Sequence, residues 1–384
     1  MEVMTVIYLD HAATTPVLPQ VRDAMMKWMD PRMVGNPSSI HTQGRQARNA
    51  IEEARANVAK MIGSKPSEIY FTSGGTESNN AWMSDPMSVF HIITDDLEHD
   101  SILEPSDHIT MWRTFVKSKS DWAIDLDHLS SLLEQADCPD MYAVSAMWVN
   151  NEIGTINPIQ EIGALCKKHG VMFHTDAIQA AGHVPIDVKK CLVDALSMSA
   201  HKFGGPMGVG TLYLSDELEM RPWIYGGGQE RGMRGGTENV PGIIGMGVAA
   251  KVVMENLERW MSNWSDCRSV FVSELYTSVN AHICINGSDV AAPNIISLTI
   301  PGVNSETLLL LLDQRGIYIS AGSACSAGSP EPSHVLKGIG MSDEDAACTV
   351  RISMGVDTTV WEIREAANII AKCANYILGM TSES

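Results

Sequence analysis

The sequence predicts an α/β protein with a mainly parallel central sheet and a smaller α+β domain at its C-terminal end. Three observations predict it: from about residue 45 to residue 250 short apolar runs alternate with helix-forming stretches, each run ends in a polar or glycine-rich cluster, and past a long unbroken helical stretch the alternation gives way to separate strands and helices. In an open parallel sheet the chemistry gathers beyond the C-terminal ends of the strands, so the clusters that follow the runs are the places to look.

Taken in order, residues 68–71 lead into SGGTESNN, 89–94 into DDLEH, 141–147 into WVNNE, 171–174 into TDAIQ and 194–198 into SAHK. The stretch 248–271 has helix formers and few breakers, and reads as a long connector into the second domain. Beyond it, 294–300 and 316–320 read as strands, 306–314 and 359–378 as helices, and the Ser/Gly/Ala-rich segment 320–332 as a loop between them. No GxxxxGK[ST] string occurs, and Gly245 and Gly247 fall inside a helical stretch instead of following a strand, so they read as helix-packing glycines and not as a dinucleotide fingerprint.

Composition narrows the function. The 384 residues are enough for two or three domains, and 27 Lys+Arg against 46 Asp+Glu give a formal charge of −19, which repels phosphate backbones and anionic lipid; neither nucleic acid nor a membrane is expected as a partner. The first residues have no basic region followed by an apolar core, and the longest aliphatic run, Leu308 to Leu312, is far short of a span, so a cytoplasmic location is expected. Eight scattered cysteines, with no CxxC pair and no Cys/His cluster at zinc spacing, point to reduced thiols and to no metal site.

Three clusters carry candidate chemistry. Gly74, Gly75 and Thr76 stand where a strand gives way to a helix, a place where free N–H groups and a hydroxyl can face an anion; a plain glycine turn with a capping residue is the alternative. Asp176 follows an apolar strand, where a carboxylate can meet the pyridinium nitrogen of a bound cofactor, with Gln179 near the ring hydroxyl; a helix N-cap is the alternative. Lys202, at the end of another strand and flanked by His201 and two glycines, supplies an amine that can act as Schiff-base nucleophile and proton shuttle, against the ordinary reading of a solvated surface lysine. Cys325 lies in the small-residue string GSACSAG, where a structural thiol would sit in an apolar run.

In order along the chain stand YLDHAATTP, GNPSSIH, EIYFTSGGTESNN, EH at 98–99, VNNEIGT, HTDAIQAAG, SAHKFGGPMGVG, GGGQERGMRGGTENV, APNIISL, GSACSAG, PSHVL and VRISMG. On these strings the chain resembles, almost end to end, the cysteine desulfurases, a group of the class V aminotransferase family of fold-type-I pyridoxal-phosphate enzymes. The resemblance implies a seven-stranded, mainly parallel sheet in a large domain over 15–256, and a small domain from 1–14 and 257–384 that carries a mobile catalytic loop at about 320–332 of the longer-loop type. It implies a Schiff base on Lys202, a pyridinium contact from Asp176, ring contacts from Asn151 and Gln179, and His99 stacked on the ring. Phosphate would be held by Gly75, Thr76, Ser199 and His201, with Thr237 reaching across a homodimer; Asn151 and Arg351 would bind substrate, and Cys325 would receive sulfur from L-cysteine as a persulfide for an acceptor protein such as an iron–sulfur scaffold. The segment 80–125 departs from the family pattern, with Asp100 after His99, and the chain stops at Ser384 without the longer scaffold-docking tail, which leaves the acceptor open. A selenocysteine lyase or an aminotransferase on the same fold would keep Lys202 and Asp176 without needing Cys325; a non-enzymatic sulfur carrier would be expected to have lost one of the three.

Overall fold

In the computed structural model, residues 6–84, 90–322 and 332–381 are described. The chain begins with β1 (Ile7–Tyr8), α1 (Pro19–Met29) and α2 (Thr42–Met61), then alternates through β2 (Ile69–Thr72), α3 (Gly75–Met83), β3 (His91–Thr94), α4 (Asp100–His108) and β4 (Trp112–Phe115). It continues with α5 (Leu126–Leu133), β5 (Tyr142–Ser145), α6 (Ile159–His169), β6 (Met172–Asp176), β7 (Ala195–Ser199), β8 (Gly210–Leu214) and α7 (Val240–Ser278). The remainder holds β9 (Cys284–Asn286), β10 (Ile295–Thr299), α8 (Ser305–Asp313), β11 (Ile317–Tyr318), α9 (His334–Gly338), α10 (Asp343–Ala346), β12 (Thr349–Ser353) and α11 (Val360–Thr381).

Seven strands form the large sheet in the order β2-β8-β7-β6-β5-β3-β4. Strands β3 to β7 run parallel, and β8 runs antiparallel to both of its neighbours, β7 and β2. Burial explains why the central strands read as unbroken apolar runs: every residue of β7 and β8 is buried, whereas edge strand β4 leaves Trp112 60% exposed. The fold is thus the α/β architecture the sequence predicts, with the strands displaced by one or two residues from the apolar runs. Strand β8 was not among the predicted runs. It follows the glycine-rich turn around Gly204 and Gly208 and takes its place by pairing with strands remote in sequence.

Helix α7 is longer than the predicted connector and runs through the expected boundary at 256–257. Its first turns lie on α1 and α2. A Cβ on Gly245 would sit 2.8 Å from Met25 Sδ, and one on Gly247 would sit 2.4 Å from Ala54 Cα, so both glycines let the helices close up. Further along, Trp264 Nε1 donates to the Gly355 carbonyl at 2.8 Å and Asn263 Nδ2 to that of Thr358, tying the helix to the turn between β12 and α11. By length and composition alone α7 could cross a membrane, but half of its most apolar stretch is buried inside the fold, as in a core helix. The C-terminal region adds an antiparallel sheet, β12-β10-β9, while β1 crosses back to pair in parallel with β11. That crossing brings the segment after β1 over the C-terminal edge of the large sheet.

Candidate active site

A cavity of about 240 Å³ lies at the C-terminal ends of β5, β6 and β7, closed on one side by the segment after β1. Lys202 enters it from a single 3-10 turn directly after β7. Its Nζ donates to the carbonyls of Ala12 and Ala13 at 2.7 and 2.8 Å. The same segment is stitched down again by Thr15, whose N–H and hydroxyl both donate to the His201 carbonyl at 2.9 and 2.8 Å, and by Gln179 Nε2, which donates to Ala12 O at 2.8 Å. The lysine is therefore held on both sides of its amine, with its stem fixed by the sheet and its head by the N-terminal strap.

Asp176 ends β6 and is buried, 3% exposed. Its Oδ1 accepts the Ile178 N–H at 2.9 Å, bracing the turn that follows β6, while Oδ2 accepts from Asn79 Nδ2 at 2.8 Å and the residue lines the cavity. The chain passes from β6 to β7 through turns without a helix, so the N-cap reading gives way to a turn brace beside the cavity. Burial pushes this carboxyl above its ordinary range, and the Ile178 and Asn79 bonds and the charges of His99 and Lys202 pull the other way. A cationic group placed against it would restore the carboxylate.

At the other end of the cavity, α3 starts at Gly75 after Gly74, with no side chain capping its first N–H groups. A Cβ on Gly75 would sit 2.1 Å from Ile178 Cδ1, so only glycine lets the helix start pack this close to the turn after β6. Thr76, Ser199 and His201 line the same region. Burial, then the charge of Lys202, pushes His201 down to about 4, so its ring is neutral near pH 7; Nδ1 faces the Thr14 hydroxyl at 3.1 Å. A helix N-terminus with hydroxyls and a neutral imidazole can hold a phosphate dianion.

His99 is the N-cap of α4, its Nδ1 accepting the Ser101 N–H at 3.0 Å, so the neutral ring carries its proton on Nε2. Arg351, on β12, is buried, 2% exposed: Nη1 donates to the Asn151 carbonyl at 3.0 Å and Nη2 to Asp10 Oδ1 at 2.9 Å. Arg351 Nε, Asn151 Oδ1 and Gln179 Oε1 are buried with no hydrogen-bond partner among the described residues. Such orphaned polar atoms around one cavity mark places where a bound molecule completes the bonding.

Ten of the sequence-predicted residues thus meet in one cavity: Gly75, Thr76, His99, Asn151, Asp176, Gln179 and, with them, Ser199, His201, Lys202 and Arg351. Thr237 does not join them; it is exposed, in a separate surface depression with Arg234 and Asn239. Cys325 lies outside the described residues, but both flanks of its segment are anchored beside the cavity. Ser320 and Arg351 exchange backbone hydrogen bonds at 3.1 and 2.7 Å, and Ser333 Oγ donates to Glu152 Oε2 at 2.6 Å. Sequence reasoning missed Asp10, which orients Arg351, Asn79, which braces Asp176, and the Ala12 and Ala13 carbonyls. All four stand in strings that were noted, YLDHAATTP and SGGTESNN, yet spacing alone gives no sign that they touch residues over 90 positions away. Among the described residues, no three His, Cys, Asp or Glu side chains converge as metal ligands.

The fold and the cavity define a class V aminotransferase, and the chain belongs to that family: the Aminotransferase class-V pattern matches residues 7–365. Within the family the chain belongs to the cysteine desulfurases. It is 41% identical over 375 residues to the cysteine desulfurase IscS of Dictyoglomus turgidum, covering 95% of this chain and 94% of that one. It is 39% identical to the putative cysteine desulfurase IscS 1 of Bacillus subtilis, with 95% and 97% covered. Among solved structures, a NifS-like protein superposes with a TM-score of 0.88 at 34% identity, covering 97% of this chain and all of that one. The structure of SspA in complex with cysteine gives 0.78 at 35% identity, with 91% and 99% covered.

Proposed function

We propose that the protein is a pyridoxal-phosphate-dependent cysteine desulfurase that converts L-cysteine to L-alanine and leaves the sulfur on Cys325 as a persulfide. The observation that carries this reading is the meeting, in one cavity, of an amine on a strand end (Lys202), a buried carboxylate (Asp176) and a buried guanidinium (Arg351), with the two flanks of the Cys325 segment fastened beside them.

The residues present fit the cofactor. Asp176 would hold the proton on the ring nitrogen, Gln179 and Asn151 would meet ring substituents through their orphaned oxygens, and the start of α3 with Thr76, Ser199 and neutral His201 would hold the phosphate. Bound there, the cofactor supplies an electron sink for the charge left when the substrate Cα proton is removed. Lys202 Nζ is the base that takes and returns that proton, and the Ala12 and Ala13 carbonyls keep the amine aimed at one place. Arg351, set in position by Asp10, binds the substrate carboxylate, and His99 covers the ring face and exchanges protons with the thiols. The Cys325 thiolate then bonds to the substrate sulfur as the Cβ–S bond breaks. Five residues reach at most about 18 Å, so from Ser320, fixed on Arg351, Cys325 is within range of the cavity.

A homodimer would bring Thr237 of one chain to the phosphate of the other. It is supported by a run of exposed apolar side chains, Met29, Val34, Ile40, Met207 and Tyr225, on segments that adjoin or include the Thr237 region. The dimer acts in the cytoplasm and passes its sulfur to an acceptor protein. Incubation with L-cysteine and a thiol reductant tests the activity: equal yields of alanine and sulfide, with no keto acid required, are expected. Conversion of a supplied keto acid to its amino acid, with mercaptopyruvate formed in place of alanine and sulfide, would make the protein an aminotransferase. Sizing in solution tests the dimer, and a fully active monomer at assay concentration would overturn it.

A further inference from the structure

Glu98 immediately precedes His99, and its carboxyl is 1% exposed. One oxygen accepts the Met147 N–H at 2.5 Å, and the other has no hydrogen-bond partner among the described residues. The surrounding backbone is held on two sides: Asn150 Nδ2, from the turn after β5, donates to the Leu97 carbonyl at 3.0 Å, and His334 Nε2, from α9, donates to the Glu98 carbonyl at 2.9 Å. Glu98 therefore stands between two turns that each deliver a site residue, the turn after β3 with His99 and the turn after β5 with Asn151.

Its charge state follows from what surrounds it. The facing titratable groups are Asp95 on its own turn and Asp176 on β6, both 3% exposed, and the hydrogen bond to the carboxyl comes from a neutral amide. Burial first, then Asp176 and Asp95, push Glu98 well above the ordinary carboxyl range, and burial first, with the charge and hydrogen bond of Asp96 adding to it, raises Asp95 to about 7. Buried like charges that cannot all ionise leave one group holding the proton, and the group best placed to ionise is the one that meets a cation.

We propose that Glu98 is a positioning residue, an uncharged acid that ties the turn bearing His99 to the turn bearing Asn151 and leaves the negative charge of the site on Asp176. The inference rests on the desulfurase reading, since it is the cofactor's cation that selects Asp176. A neutral carboxylic acid at this position keeps an acceptor for Met147 without competing for that cation.

The test compares Glu98→Gln and Glu98→Leu with wild type, each as cofactor-loaded enzyme. Glutamine keeps an uncharged acceptor, and leucine removes it and strands the Met147 N–H, so leucine should lower kcat/KM on the order of tenfold or more and glutamine should rescue most of that loss. The midpoint at which the bound cofactor's absorbance changes with pH should be the same in Glu98→Gln as in wild type. The infrared spectrum of the cofactor-loaded protein at neutral pH should lose a protonated-carboxyl band in Glu98→Gln. A shifted absorbance midpoint, no lost band, glutamine as poor as leucine, or leucine as good as wild type would each overturn the proposal. Where leucine does not fold, the two glutamine spectra still decide it. Wild-type turnover of L-cysteine in the same series separates failure of this inference from failure of the desulfurase reading.

Discussion

Replacing Arg55 by methionine should cost the fold about 3–5 kcal/mol, because it leaves the buried Glu230 carboxylate without its counter-charge. Both side chains are nearly inaccessible, 4% and 3% exposed, and they meet through two bonds of 2.7 and 2.9 Å. Glu230 also accepts the Phe71 N–H at 2.9 Å, and Arg55 donates to the Ile69 carbonyl at 2.9 Å while its guanidinium lies 4.8 Å over the Phe71 ring. Burial opposes the charge on Arg55, yet Glu230, with Glu52 3.2 Å away, more than offsets it and holds the guanidinium above its ordinary value. The pair also secures a strained place, since Glu230 and Arg231 adopt φ of 45° and 58° in the segment that leads to Thr237. Methionine keeps most of the stem's bulk, so the loss reports charge and hydrogen bonding more than volume. Urea unfolding followed by fluorescence and circular dichroism gives the magnitude. Adding Glu230→Gln to Arg55→Met should recover part of the loss, while breaking the exposed Lys65–Asp216 pair, 64% and 44% accessible, should cost far less. An Arg55→Met protein as stable as the Lys65 variant would refute the reasoning.

Arg351→Ala should raise KM for L-cysteine by on the order of a hundredfold with a smaller change in kcat, and Arg351→Lys should restore only part, because an ammonium lacks the fork; an unchanged KM would show that the carboxylate binds elsewhere. Gly247→Val should destabilise by roughly 1–3 kcal/mol or more in thermal or urea unfolding, since its Cβ would stand 2.4 Å from Ala54 Cα; wild-type stability there would mean that α2 and α7 separate freely. Burial pushes His11, His183 and His201 down to about 4 and His174 to about 3. The unfolded chain therefore binds the extra protons between pH 6.5 and 4, and the stability these rings contribute is complete above 6.5 and lost as pH falls through that window. Asp95, raised to about 7, and Glu98, Glu152, Asp176 and Asp194, also raised by burial, act with the opposite sign as pH falls from 7. The histidine contribution is therefore read as a difference: the loss of stability from pH 7 to pH 5 should be smaller in His174→Gln than in wild type, and an equal loss would contradict the assignment.

Much of the fold was legible because parallel strands buried on both faces leave apolar runs that end in polar clusters, as at β3, β5, β6 and β7. Edge strand β4, with its mixed burial, and the antiparallel β8 gave no such signal of their place in the sheet. Residue types at the strand ends pointed to Asp176 and Lys202, and the resemblance supplied His99, Asn151 and Arg351. Neither route exposed the Asp10–Arg351 pair or the strap over Lys202, because both depend on β1 crossing to β11, a pairing separated by some three hundred residues. The Glu98–Met147 bond escaped for the same reason: a buried carboxyl is recognised by what surrounds it, and spacing along the chain does not show that.

The most direct test of the account is the fate of the sulfur. Cofactor-loaded enzyme is given one equivalent of L-cysteine without reductant, digested, and its peptides weighed, for wild type and for Cys325→Ala. The account predicts one alanine per site and a gain of one sulfur atom on the peptide holding Cys325, with neither product from the variant although its cofactor absorbance is intact. Alanine at the wild-type rate from Cys325→Ala, or sulfur found on another cysteine, would contradict it.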